Sequence, residues 1–337
     1  MRMTSARDVA RRMRENDASR AAFVGAWMSF VPALDVTAPL EARVDAVRDA
    51  ARRHGFLRVS VRALERRGGA FERLGEMIDE AFAVSEQFFA RDLSAKERCA
   101  TGAHGRGYTS MAAETLDASG SSCGDTKEGF YVSREMTDAD AADDAWPKDE
   151  AGTVFRETSV RYYKAMVSLG RELLGLFALA LGREREFFHE HFADDAHKCV
   201  LRFLRYAPVR SSEGEGRFAC GAHSDYGCLT ILATDSCPGL EIFDRETGSW
   251  VPVTPRPDEL LVNIGDCLQR WSNNKLRSTR HRVMTAGDRV RYSIPFFFEP
   301  SMDTLCEPVC DEGETPEFAP ILFSDFLKAK YEETYGS

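Results

Sequence analysis

The chain has 337 residues, enough for a sizeable hydrophobic core, and its 43% hydrophobic and 29% charged residues are an ordinary globular mix. A net charge of −10 argues against nucleic acid as the main partner, because phosphate binding needs clustered Lys and Arg. Nine cysteines, an odd number without a C-x-x-C pair, argue against a disulfide framework. Cys306 and Cys310 lack the second pair of a zinc site, so reduced thiols in a cytoplasmic compartment are expected.

The opening "MRMTSARDVARRMRENDASR" is basic and runs into the apolar "AAFVGAWMSFVPAL", but it carries Asp8, Glu15 and Asp17, which targeting peptides avoid. Residues 1–29 read as a helical lead, with organelle targeting left open. "FVPALDV" (30–36) predicts a short strand. "PLEARVDAVRDAARRHGFLRV" predicts a helix that stops near Gly55, and "AFERLGEMIDEAFAVSEQFFA" (70–90) a second amphipathic helix. From about 100 to 152, Gly, Ser and Asp are frequent and predict long loops with short strands. Residues 154–182 predict a long helix, too apolar on one face to stand alone.

After residue 198 the pattern changes to period 2. "CVLRFLRYAPV", "CLTILAT", "LEIFD", "WVPVTP", "ELLVNIG", "HRVMTA" and "VRYSIPFFFEP" are short strands separated by Gly, Pro, Asp and Asn turns. Many such strands predict a sandwich or jelly roll. "FSDFLKAKYEETYG" predicts a closing helix. No run approaches a membrane span in length.

Within this half, "GAHSDYGCLTILAT" places His223 and Asp225 two residues apart, which on a strand puts both side chains on one face. His-x-Asp alone is more often a polar turn than a metal site. His281 opens another strand of the same half and supplies a third donor. Two imidazoles and one carboxylate, with three coordination positions left open, form the triad of non-haem Fe(II) oxygenases. Ten residues on, Arg291, Ser293, Pro295 and Phe297 share one strand face. A guanidinium with a hydroxyl two residues away suits a carboxylate. "HEH" at 189–191 is not H-E-x-x-H, "GAHGRGY" (102–108) lacks the strand–helix setting of a dinucleotide loop, and Asp266 is expected to turn the chain.

His223, Asp225, His281, Arg291 and Ser293 match in order and spacing the pattern of the isopenicillin N synthase-like family of Fe(II)- and 2-oxoglutarate-dependent oxygenases. "GRGYTS…KEGFYVSRE" and "PGLEIFDRETGSWVPVTPRPDELLVNIGDCLQRWSNNKLRSTRHRV" also resemble its middle and core. The resemblance implies an α+β fold: a double-stranded β-helix (jelly-roll) core with N-terminal helices packed on it and a C-terminal helix. It divides the chain into the lead 1–29, an N-terminal oxygenase region 30–197 and a jelly-roll core 198–337, together one structural domain.

It further implies that His223, Asp225 and His281 hold Fe(II), while Arg291, Ser293 and Tyr206 hold the far carboxylate of 2-oxoglutarate. O2 is the oxidant and ascorbate a candidate reductant. Plant members often carry Asn-x-Tyr where this chain has Leu204-Arg205-Tyr206, so one polar contact is lost. Phe297, Tyr108 and Phe130 are the expected pocket walls. The implied reaction is hydroxylation of a small molecule by a monomeric cytoplasmic enzyme, with desaturation or ring closure requiring only another substrate pose. Two other readings stay open: an iron oxidase whose Arg-x-Ser grips the substrate's own carboxylate, and a non-catalytic ligand-binding member.

Overall fold

The computed structural model describes residues 30–101, 106–117, 123–138, 145–194 and 196–335. The expected lead helix over 1–29 lies outside them. Strand β1 (Ala33–Leu34) is followed by helix α1 (Leu40–Arg53), which buries Val44, Val47, Ala50 and Ala51 at helical spacing. The helix gives way at Gly55, where φ is +67°. A side chain there would also strike the Arg277 carbonyl and come within 2.8 Å of Thr279 Oγ1, so only glycine turns the chain into β2 (Phe56–Ser60).

Helix α2 (Val61–Glu65) follows directly. Helix α3 (Leu74–Phe89) begins four residues later than its apolar pattern. Gly68 and Gly69, both at positive φ, divert the backbone into a separate turn over Gly69–Phe71. Helix α4 (Leu93–Glu97), β3 (Gly107–Thr109) and β4 (Lys127–Ser133) come next. Helix α5 (Glu150–Ala180) starts where the Asp149 carboxylate accepts the Gly152 N–H at 2.8 Å, a side-chain N-cap.

The remaining strands are β5 (Val200–Tyr206), β6 (Cys220–His223), β7 (Leu229–Thr234), β8 (Leu240–Asp244), β9 (Ser249–Pro252), β10 (Glu259–Ile264), β11 (His281–Val283) and β12 (Arg291–Phe298). Helix α6 (Asp266–Trp271) follows β10. The short pair β13 (Leu305–Cys306) and β14 (Ile321–Leu322) precedes the closing helix α7 (Phe323–Tyr335).

An eight-stranded major sheet runs β1-β2-β10-β7-β12-β5-β4-β3, and a four-stranded minor sheet runs β6-β11-β8-β9. Strands from before residue 198 thus form both edges of the major sheet. Alternation along each strand gives this sheet two different faces. Leu201, Phe203, Ile231, Ile294, Phe296 and Phe298 face α3 and α5 in one apolar core, while Leu204, Tyr206 and Leu261 meet Leu240, Ile242 and Val283 of the minor sheet in a second. This is the jelly roll with helices on its outer face. Each buried Phe or Ile contributes about 1.5–3 kcal/mol, so the helical layer stiffens the sheet that carries the site. None of the described helices is long and apolar enough to cross a membrane.

Candidate active site

Strands β6 and β11 pair antiparallel with His223 directly opposite His281, which sets the two imidazole centroids 4.4 Å apart. A single strand carrying both His223 and Asp225 is not what forms. The chain leaves the minor sheet at His223 and enters the major sheet at Leu229, and Asp225 lies in the crossing. The crossing is held by backbone bonds from Asp266 N–H to the Asp225 carbonyl (2.7 Å) and from Gly265 N–H to the Cys228 carbonyl (2.9 Å). Gly265 packs so closely on the Gly227 and Asp225 carbonyls that a Cβ there has no room.

Each imidazole turns Nδ1 to a backbone carbonyl, His223 to Gly221 at 2.8 Å and His281 to Thr279 at 3.2 Å. With the proton placed there, the Nε2 lone pairs are free to bind metal. Both Nε2 atoms lie 3.7 Å from Asp225 Oδ1. Asp225 Oδ2 accepts from Thr230 Oγ1 at 2.5 Å and from Asn263 Nδ2 at 2.7 Å. Donor atoms of the three residues lie within 4.8 Å of one another, and no other such group occurs among the described residues. Two nitrogens and one oxygen with an open side suit Fe(II).

Burial raises the Asp225 carboxyl, but His281 and then His223, with the Asn263 and Thr230 hydrogen bonds, outweigh it and hold the group below its ordinary value. Burial, followed by His223, lowers His281. Both shifts favour the protonation states that bind metal.

The triad opens on a cavity of about 740 Å³. Arg291 is 2% exposed, and its Nε and Nη1 have no hydrogen-bond partner. A buried guanidinium without partners costs several kcal/mol unless an anion completes it. Ser293 Oγ donates to Tyr206 Oη at 3.4 Å, and the Arg291 guanidinium carbon lies 4.8 Å from the centre of the Tyr206 ring. The geometry fits a carboxylate cradle. Leu204, where an Asn was the alternative, is an apolar part of the cavity wall.

Residues 197–300 match the 2OG-Fe(II) oxygenase superfamily, and residues 31–149 match the N-terminal region described as that of the non-haem dioxygenase in morphine synthesis. The 2-oxoglutarate-Fe(II) type oxidoreductase hxnY of Emericella nidulans is 30% identical over 310 residues, covering 87% of this chain and 85% of the relative. The 2-oxoglutarate-dependent dioxygenase citB of Monascus ruber is 33% identical over 303 residues, covering 85% and 89%. The chain belongs to the Fe(II)- and 2-oxoglutarate-dependent oxygenases.

Solved structures agree on the fold of this oxygenase. A full-length Neurospora crassa protein in complex with alpha-KG superposes with a TM-score of 0.75 at 25% identity, covering 89% of this chain and 93% of that one. A 2OG-Fe(II) oxygenase family protein of Caulobacter crescentus gives 0.74 at 29% identity, covering 90% and 99%.

Of the three expected pocket walls, the oxygenase places only Phe297 on the cavity. Phe130 is fully buried on the opposite face of β4, against Phe88, Trp146 and Phe155. Tyr108 pairs with Phe130, packs on Phe88 and donates to Glu128 at 2.7 Å. On β4 the cavity is lined instead by Lys127, Tyr131 and Ser133, with Tyr131 next to Phe130. A one-residue step changes the face of a strand, and a stretch of loops gives little by which to fix its parity. "HEH" lies in a single turn of helix, His189–Phe192. Asp266 opens α6, accepts from Ser224 Oγ at 3.0 Å and pairs with Lys330 at 2.9 Å.

Several further cavity residues of the oxygenase belong to none of the sequence motifs. Arg202, beneath the Tyr131 ring at 4.3 Å, is paired with Glu114, and Lys127 is paired with Asp125. Tyr226, Leu327 and Tyr331 close the side under α7. Glu299 lines the cavity one residue beyond β12, and its carboxyl is pushed up to about 8 by burial and by the nearby Asp225.

Proposed function

We propose that His223, Asp225 and His281 hold the Fe(II) of this oxygenase, and that Arg291 and Ser293, with Tyr206, grip the distal carboxylate of 2-oxoglutarate. The observation that carries the reading is the buried Arg291 guanidinium, unpartnered at two nitrogens, on the same cavity as the triad. Arg291, Ser293, Pro295 and Phe297 succeed one another on one face of β12, and Phe297 is the register partner of Thr230, which supports Asp225. The strand therefore leads from the carboxylate grip to the metal ligands. Fe(II), 2-oxoglutarate and O2 together supply oxidative decarboxylation coupled to removal of hydrogen from a small-molecule substrate, hydroxylation being the default outcome.

The protein's own part is positional. Thr230 and Asn263 fix the Asp225 carboxylate, backbone carbonyls fix both imidazoles, and Phe297 with the α7 side chains screens the metal from bulk water. The reading includes a monomer in the cytoplasm, with ascorbate as reductant. Its test is the visible absorption band that Fe(II) and 2-oxoglutarate give together without O2. The band is expected in the wild type, lost in Arg291→Ala at sub-saturating 2-oxoglutarate, and followed by succinate on admission of air. Neither band nor succinate in the wild type would sink the reading.

A further inference from the structure

The face of β12 that carries the proposed carboxylate grip does not end at the metal. The alternation Arg291, Ser293, Pro295, Phe297 continues to Glu299, and all five side chains line the cavity. At about 3.3 Å per residue, Arg291 and Glu299 are separated by roughly 26 Å of strand. The metal triad lies between them: Phe297 is level with Thr230 beside Asp225, whereas Glu299 packs on Gly227. A Cβ on Gly227 would lie 2.7 Å from Glu299 Cγ and 2.9 Å from its Oε1. Glu299 thus stands past the metal from the 2-oxoglutarate end, on the side left for substrate.

Its carboxylate is also the one the protein leaves without a partner. The other glutamates around the cavity are neutralised, Glu114 by Arg202 and Lys127 and Glu135 by Lys198 and Arg134. Asp225 is committed to the triad. The Glu299 backbone is tied down, its N–H to Cys199 Sγ and its carbonyl accepting from Lys198 N–H. Its carboxylate has no hydrogen bond or ion pair among the described residues. A polar group on a tied-down backbone in an otherwise largely apolar pocket is what fixes ligand orientation, and a carboxyl group left open favours a ligand that brings an N–H or positive charge.

Resting on the site assignment above, we propose that Glu299 anchors the substrate, and that the substrate presents to it a nitrogen-borne proton, either a protonated amine or a ring N–H. A cation placed beside this carboxyl relieves both the burial and the nearby Asp225 that hold its proton, whereas an acid brings no such relief.

The test uses the full-length protein loaded with Fe(II) and 2-oxoglutarate without O2, and calorimetric titration of matched pairs: benzylamine against phenylacetate, and indol-3-ylmethylamine against indole-3-acetate. The nitrogen member of each pair is expected to bind at least about tenfold more tightly in the wild type. Glu299→Gln should reduce that preference to within about threefold, and Glu299→Lys should reverse it. The wild-type comparison decides the matter even if a variant does not fold. Equal affinities, preference for the acids, or no binding by either amine overturns the proposal, as does a preference that survives Glu299→Gln. The absorption band is read in the same samples. A normal band without amine preference overturns this proposal alone, whereas a missing wild-type band overturns the site assignment beneath it.

Discussion

The two ends of the cavity are built differently. At the metal end, side chains come from strands β5, β6, β7, β10, β11 and β12 or from the short crossing after β6, and the triad is braced by neighbours: Asp225 by Thr230 and Asn263, each imidazole by a carbonyl. At the other end the walls come from β4, the segment after β12 and α7, and they hold a carboxylate with no partner. The contrast separates what the chemistry requires from what selects the substrate. A site that must hold metal within tenths of an ångström is placed on paired strands, while selectivity is left to elements that vary without disturbing it.

Substitutions can break this contrast at graded depth. Asp225→Ala removes one of the three proposed ligands and should weaken Fe(II) binding by more than about 100-fold, measured by metal titration without O2. Asn263→Ala and Thr230→Val leave the ligands in place but loosen the carboxylate. About 10- to 100-fold weaker Fe(II) binding is expected, with the fold intact by circular dichroism. If either variant binds metal normally, the metal end is less dependent on its supports than the hydrogen bonds indicate. Arg291→Lys keeps the charge but not the fork, and KM for 2-oxoglutarate should rise roughly tenfold with a smaller change in kcat.

At the proposed substrate end, Tyr331→Ala should alter substrate KM while leaving KM for 2-oxoglutarate within about twofold. A large change in the latter would erase the distinction between the ends. The smallest effect is on acid stability. Burial raises the Glu114 carboxyl, but Arg202 and then Lys127 prevail and hold it at about 2 against an ordinary 4.5. Its contribution is complete above pH 4.5 and fades as pH falls towards 2. Glu114→Gln should therefore flatten the pH dependence of the thermal midpoint across that window.

The same division decides what could be read from the chain alone. His223, Asp225, His281, Arg291 and Ser293 stand out because ionisable residues at fixed spacing in apolar strands need a reason, and the period-2 pattern of "VRYSIPFFFEP" assigns faces without a structure. Carried two residues further, that pattern would also have reached Glu299. Asn263, a lone amide in "ELLVNIG", was legible in the same way. Tyr131 was not, because β4 is preceded by loops and nothing in its sequence separates it from Phe130. Nor could spacing show that His223 and Asp225 belong to different layers, since a turn and a strand both accommodate His-x-Asp. The contribution of α7 depends on how a terminal helix folds back, which no local pattern encodes.

That difference in layers has a consequence for the life of the protein. Both histidines belong to the minor sheet, whereas Asp225 is moored to β7 and β10 of the major sheet. An ion held by all three acts as a clasp across the mouth of the jelly roll, and its binding energy is added to the cohesion of the two layers. Chains starved of iron should then part first along this seam, with amides of β6 and β11 exchanging hydrogen faster than those of β7. Supply of metal would set how long the folded chain survives as well as whether it works.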